Sequence, residues 1–156
     1  MKMNEKIILK KLNLNKDITK KYQNWMNSLE IHKYTEQKNK KHSLTNIKNF
    51  VIEKNKSKNE FLSGIFLKKK NLNTHIGNIK LGPISIIHKT ANISYFIGVK
   101  ELWNKGYTTL AIKEIIKIAK KKVVKKPQEE KLKKKIDKKK IIIKIVIKMK
   151  GKIKSK

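Results

Sequence analysis

The sequence predicts an α/β (α+β) fold with the element order βααβββα. Runs of β-branched and aromatic residues alternate with segments whose apolar residues recur at every third and fourth position. Near residue 97, a strand pattern passes through a glycine-bearing loop into an amphipathic helix. A chain of 156 residues can bury one continuous core, so we expect a single folded domain.

The first half of the chain is predicted to form one strand and two helices. Residues 7–12 give the strand, and residues 17–25 give a short amphipathic helix entered through Asn15 or Asp17. A second helix is predicted to begin behind Ser43, because the apolar residues that follow it return to helical spacing.

Three strands and a third helix are predicted next. Strands at 61–67 and 76–81 flank a polar run that serves as a hairpin loop, and another strand follows at 91–97. The last helix presents one apolar stripe to the sheet, formed by Ala111, Ile115, Ile118 and Ala119.

The formal net charge is +31 at pH 7, and all 42 basic residues are lysine. Such a charge is typical of proteins that bind nucleic acid or anionic surfaces. The absence of arginine, whose guanidinium binds phosphates and bases with two parallel hydrogen bonds, favours the compositional drift of an AT-rich bacterial genome instead. A basic nucleic-acid-binding protein that uses a lysine-rich tail is the alternative function.

The chain has no cysteine, which excludes a disulfide framework, a thiolate zinc site and a cysteine nucleophile. Together with the lack of any run approaching about 20 apolar residues, this predicts a cytoplasmic protein without a membrane span. No bound metal is expected, because paired metal-site spacing is absent from the four histidines, His32, His42, His75 and His88.

The composition changes near Lys120. Residues 120–156 are a Lys/Ile-rich, low-complexity tail that carries nearly half of the net charge in a quarter of the length. We therefore predict a folded domain over residues 1–119 and a separate tail. Within the tail, residues 140–148 are β-branched enough to form a strand if a partner strand is available, and a disordered basic tail is the other interpretation.

The strand, loop and helix over residues 93–112 contain the sequence Trp103-Asn104-Lys105-Gly106-Tyr107-Thr108. This resembles the GNAT superfamily of acyl-CoA-dependent N-acetyltransferases, in particular the branch of ribosomal-protein N-terminal and bacterial surface-sugar acetyltransferases. Segments 22–36 and 75–84 support the resemblance, which covers roughly residues 5–119.

The loop motif of that family is Arg or Gln, two residues, Gly, one residue, then Gly or Ala. Trp103 occupies the first position, as it often does in this branch, and Gly106 matches the central glycine. Thr108 replaces the small final residue, and Asn104 stands where the branch usually has glycine.

The resemblance implies a GNAT-like mixed, mostly antiparallel sheet flanked by helices, with acetyl-CoA as the co-substrate. It implies a primary amine as acceptor, either an amino sugar on a nucleotide carrier or a protein N-terminus, and it makes a homodimer conceivable. The strand before the loop would bind the pantetheine and thioester through Phe96, Ile97 and Val99. The loop amides would bind the pyrophosphate through Lys105, Gly106, Tyr107, Thr108 and Thr109.

Glu36 is the candidate general base, because it ends a segment that borders the acceptor pocket in this branch. Its other interpretation is an ordinary solvated carboxylate. The family's leaving-group acid, a Tyr or Ser after a fifth strand, has no counterpart after Ala119. We therefore predict atypical or absent C-terminal strands, and whether the chain is active stays open. A frameshift after Ala119 is our hypothesis for the abrupt change in composition there.

Overall fold

The computed structural model describes residues 6–33, 37, 39–68, 72–85, 87–88, 90–124 and 144–147. A short 3-10 turn, Lys100–Leu102, follows the fourth strand. The other elements are, in order, β1 (Ile7–Lys10), α1 (Lys20–Met26), α2 (Leu29–His32), α3 (Leu44–Lys56), β2 (Phe61–Leu67), β3 (Thr74–Ser85), β4 (Thr90–Ile97), α4 (Tyr107–Val124) and β5 (Lys144–Ile147).

The predicted order βααβββα is confirmed, with three additions. These are the four-residue helix α2, the 3-10 turn and the strand β5. A helix of four residues is too short to display a helical period, so periodicity alone did not predict α2. Helix α4 also runs five residues past the predicted boundary at 119.

The strands form one sheet in the order β1-β2-β3-β4-β5. Strands β1 to β4 pair antiparallel with their neighbours, whereas β5 pairs parallel with β4. The predicted mixed, mostly antiparallel sheet is therefore confirmed. Strand β5 lies inside the 140–148 run, for which a strand was one of the two interpretations.

Helices cover both faces of the sheet. Helix α4 packs on one face and buries Ala111, Ile115 and Ala119 against the sheet, while Ile118 is partly buried there. Helices α1 and α3 pack on the opposite face, in a cluster that includes Tyr22. Because side chains alternate along a strand, β2 supplies residues to both clusters.

Helix α1 begins later than the sequence predicted. Its N-cap is Thr19, whose Oγ1 accepts the N–H of Tyr22 at 3.3 Å, so the prediction of Asn15 or Asp17 was wrong. Asp17 instead closes a separate turn, where its Oδ2 accepts the N–H of Asn13 at 2.7 Å. The predicted start of α3 is confirmed, since Ser43 Oγ accepts the Asn46 N–H at 3.1 Å.

Candidate functional site

The edge of β4 that faces β5 is paired along its first half. The described register runs from Thr90 opposite Lys144 to Ile93 opposite Ile147. Beyond that point, residues 94–97 have no paired strand on this side within the part of the chain that the structure describes. Within the described residues, the second half of β4 therefore has an unpaired edge, which we call the open edge.

Backbone alternation determines which groups this open edge presents. The Gly98 N–H donates to the Ile76 carbonyl at 2.8 Å, and the register pairs Ile97 with Gly77. In an antiparallel ladder, residues alternate between bonding across to the partner strand and facing away from it. Ile97 and Tyr95 therefore direct their N–H and C=O groups to the open edge.

The three residues predicted to contact pantetheine occupy different positions. Ile97 presents its backbone at the open edge, whereas the backbone of Phe96 faces Asn78 on β3. Val99 lies beyond the strand, and its carbonyl accepts the N–H of Leu102 at 3.1 Å. Tyr95 shares the outward alternation of Ile97 and was missed, although the period of two along the strand could have identified it.

Two tryptophans hold the start of the loop after β4. The indole Nε1 of Trp103 donates to the Ile97 carbonyl at 2.8 Å, and the Trp103 side chain is half-buried. The ring of Trp25 lies so close to Gly98 that any Cβ at that position would overlap it. Position 98 therefore has no space for a side chain, which explains the glycine there.

The loop that follows is exposed and has an unusual backbone. Asn104 has φ 59° and Gly106 has φ 78°, both in the left-handed region, and residues 104–106 are exposed. Backbone turns of this kind cluster N–H groups into a concave anion site. Lys105 and Gly106 lie in this turn, and Tyr107, Thr108 and Thr109 form the first turn of α4, where the helix dipole adds positive potential.

Tyr22, His75 and Asn78 form a hydrogen-bonded cluster on the face of the sheet that α1 and α3 cover. Asn78 is 3% exposed, donates from Nδ2 to the Tyr22 hydroxyl at 2.5 Å, and contacts His75 Nε2 through Oδ1 at 2.9 Å. Burial raises the pKa of the Tyr22 hydroxyl and lowers the pKa of His75. The Tyr22 ring also stacks on Phe96, with ring centroids 6.2 Å apart. Sequence reasoning missed this group because its members meet only in the folded sheet.

A groove of about 700 Å³ opens between α1 and the start of α3. Its described lining has no carboxylate and consists of Gln23, Asn27, Leu29, Asn39, Lys40, Lys41, His42, Ser43 and Asn46.

The backbone of His42 is held in place at this groove by side-chain amides. Its carbonyl accepts from Gln23 Nε2 and from Asn27 Nδ2, each at 2.9 Å, and its N–H donates to Asn27 Oδ1 at 2.8 Å. Its Nε2 is buried and has no hydrogen-bond partner among the described residues. Burial first, and the charge of Lys40 second, lower the pKa of His42, which favours a neutral imidazole.

His32 lies against the strand that carries the open edge. The centroids of the His32 and Phe96 rings are 5.7 Å apart, and His32 is 5% exposed. Burial, followed by the charge of His42, lowers the pKa of His32. The predicted base Glu36 lies outside the described residues, and within them no three His, Asp or Glu side chains form a group that could hold a metal.

The described helices include none that is long and apolar enough to cross a membrane. A family model described as an acetyltransferase (GNAT) domain matches residues 6–148. By sequence, no curated protein matches the chain.

Several solved structures share the fold. Spermidine N-acetyltransferase from Vibrio cholerae, in complex with CoA and spermine, is 20% identical with a TM-score of 0.56, over 71% of this chain and 62% of that one. An acetyltransferase (GNAT family) from Bacillus anthracis is 19% identical with a TM-score of 0.58, over 75% and 64%. The microcin C7 self-immunity acetyltransferase MccE, in complex with acetyl-CoA and AMP, is 20% identical with a TM-score of 0.54, over 71% and 61%. The chain thus spans less than two thirds of the length of these three proteins.

Proposed function

The chain belongs to the GNAT family of N-acetyltransferases, and on this premise we propose that it transfers the acetyl group of acetyl-CoA to a primary amine. One observation carries the proposal. The open edge of β4 and the N–H cluster that begins α4 flank the same short segment, residues 98–103. GNAT sheets open between their fourth and fifth strands to admit the pantetheine arm.

The proposed cofactor position uses backbone groups almost throughout. The pyrophosphate would accept hydrogen bonds from the amides of residues 105–109, where the dipole of α4 adds positive potential. The pantetheine arm would follow the edge formed by Tyr95 and Ile97. The N–H of Ile97 would then donate to the thioester oxygen and stabilise the oxyanion that forms there.

The chemistry requires a neutral amine, because an alkylammonium with a pKa near 10 is mostly protonated at pH 7. Glu36, or a water molecule bound to it, remains the proposed base that takes this proton. The amine then attacks the thioester carbon, and the tetrahedral intermediate forms the amide as its C–S bond breaks. The nitrogen gives up its extra proton to water or to the departing sulfur, so that the products are amide and CoA. The CoA sulfur can leave as a thiolate, since thiols titrate near pH 8.5, so a dedicated acid is not required.

The groove beside α3 is the proposed acceptor site. Lys40 and Lys41 suit phosphate or carboxylate groups, and the amide of Asn46 suits a sugar hydroxyl. The amides of Gln23 and Asn27 hold the backbone of His42 in place beneath them. An amino sugar on a nucleotide carrier fits this lining, and a protein N-terminus is the second form of the proposal. A polyamine such as spermine fits less well, since a net charge of +31 repels a polycation.

The alternative of a nucleic-acid-binding protein draws less support. Sequence-tolerant binding of single strands uses exposed aromatic platforms along a basic groove. Here Tyr22, Trp25 and Phe66 are buried in the cluster under α1 and α3. A cytoplasmic location forms part of the main proposal, because a cysteine-free acetyl-CoA enzyme fits a reducing compartment.

Titration calorimetry with acetyl-CoA tests the proposal first. We expect saturable binding, and absence of binding at about millimolar acetyl-CoA would refute it, since that limit corresponds to roughly 4 kcal/mol of binding free energy. Thiol release is then measured with a panel of amines. Because the protein has no cysteine, thiol reagents report only the released CoA. A nucleotide-linked amino sugar should be acetylated faster than spermine, and the reverse ranking would contradict the proposed acceptor class.

A further inference from the structure

The hydrogen bond from Trp103 to Ile97 joins the two parts of the proposed cofactor site. The indole N–H reaches back six residues to a carbonyl that faces the open edge of β4. The bond is 2.8 Å long and the Trp103 side chain is half-buried, so water competes weakly for it. The proposed chemistry makes no use of this indole.

The residues on either side of Trp103 differ in how firmly they are held. Gly98 is fixed to β3 by its N–H bond to Ile76 and lies against the ring of Trp25. The exposed turn with left-handed residues begins directly after Trp103, at Asn104. The backbone N–H of Trp103 donates to the Lys100 carbonyl at 2.9 Å, and this bond closes the 3-10 turn between the two residues. Trp103 is therefore the last anchored residue before the exposed turn.

We propose that Trp103 is a positioning residue that fixes the spacing between the phosphate-binding turn and the open edge of β4. The inference rests on the proposed function, because it assumes that one acetyl-CoA molecule spans both places. A ligand that bridges two subsites gains affinity when their spacing is set before it binds. Loss of the indole bond should weaken this gain and leave each subsite intact.

Trp103→Phe keeps an aromatic ring, and it removes the N–H donor together with part of the indole's packing volume. Binding is measured by calorimetry with two probes, CoA and 3′-phospho-ADP, the latter being the phosphate-bearing half of CoA without pantetheine. We expect the Kd for CoA to rise roughly 3- to 10-fold, the effect of one lost hydrogen bond, and the Kd for 3′-phospho-ADP to stay within about twofold. The matched control is Lys105→Met in the adjacent turn, which should weaken both probes by the same factor.

Three outcomes would overturn the inference. An unchanged Kd for CoA in Trp103→Phe would show that the indole bond does not fix the spacing between the two subsites. An equal loss of affinity for both probes would show that Trp103 serves only to fold the turn. Absence of CoA binding by the unaltered protein would overturn the proposed function, and the inference with it.

A measurement on the unaltered protein keeps the test valid if the variant fails to fold. The indole N–H of Trp103 should exchange slowly with solvent both without ligand and with CoA bound. Rapid exchange in the free protein would contradict a spacing that is set in advance.

Discussion

At the scale of single residues, the two departures from the GNAT loop motif have different structural meanings. Asn104 adopts φ 59°, and asparagine is one of the few side chains that accept the left-handed region. The change from glycine therefore preserves the path of the backbone. Thr108 lies in the first turn of α4 and is half-buried. Neither departure removes an N–H group from the proposed phosphate site.

Gly106 offers a matched pair of variants that separates charge from backbone strain. At φ 78°, Gly106→Asn and Gly106→Asp should each cost about 1 kcal/mol of stability, because both side chains tolerate this region with similar strain. If the turn binds pyrophosphate, the Asp variant should bind acetyl-CoA about 10- to 30-fold more weakly than the Asn variant through charge repulsion. Calorimetry and thermal unfolding provide the two measurements. Equal affinities for the two variants would argue against a phosphate in this turn.

At the scale of elements, periodicity predicted what depends on local sequence. The bounds of β2 follow from an apolar run that ends at a polar loop, and the start of α3 follows from Ser43; both agree with the structure. The predicted start of α1 was wrong because Asn13 and Asp17 bond to each other in a separate turn. The Asp17 carboxylate is therefore not available to cap the helix. The contact of Asn78 with Tyr22 depends on sheet pairing, which periodicity does not reveal.

Proline substitutions can test the pairing of β5 with β4. In a parallel pair, neighbouring residues of one strand point their N–H groups alternately toward the partner strand and away from it. Of Ile145→Pro and Val146→Pro, one should therefore remove a bond to β4 and cost about 1 kcal/mol or more beyond its alanine counterpart, while the other should be tolerated. Urea unfolding of the proline and alanine variants at both positions measures the difference. Similar costs at both positions would contradict the observed register.

At the scale of the whole molecule, net charge and local geometry would make separate contributions to the proposed binding of acetyl-CoA. A charge of +31 produces a positive field over the surface that attracts the phosphates of acetyl-CoA from a distance. The turn at residues 104–106 acts only at contact. Salt screens charges beyond about 10 Å at roughly 0.1 M ionic strength, so it weakens the first contribution far more than the second.

The two contributions can be separated by comparing acetyl-CoA with S-acetyl-pantetheine, an acetyl donor that lacks phosphate. Raising ionic strength from about 0.05 M to about 0.5 M should lower the association rate of acetyl-CoA by roughly tenfold and change its dissociation rate little. Transfer from uncharged S-acetyl-pantetheine, measured as kcat/KM, should stay constant over the same range. Stopped-flow mixing and thiol release provide these measurements. A salt dependence shared by both donors would mean that ionic strength acts on the acceptor or on the fold, and that the positive field does not steer the cofactor.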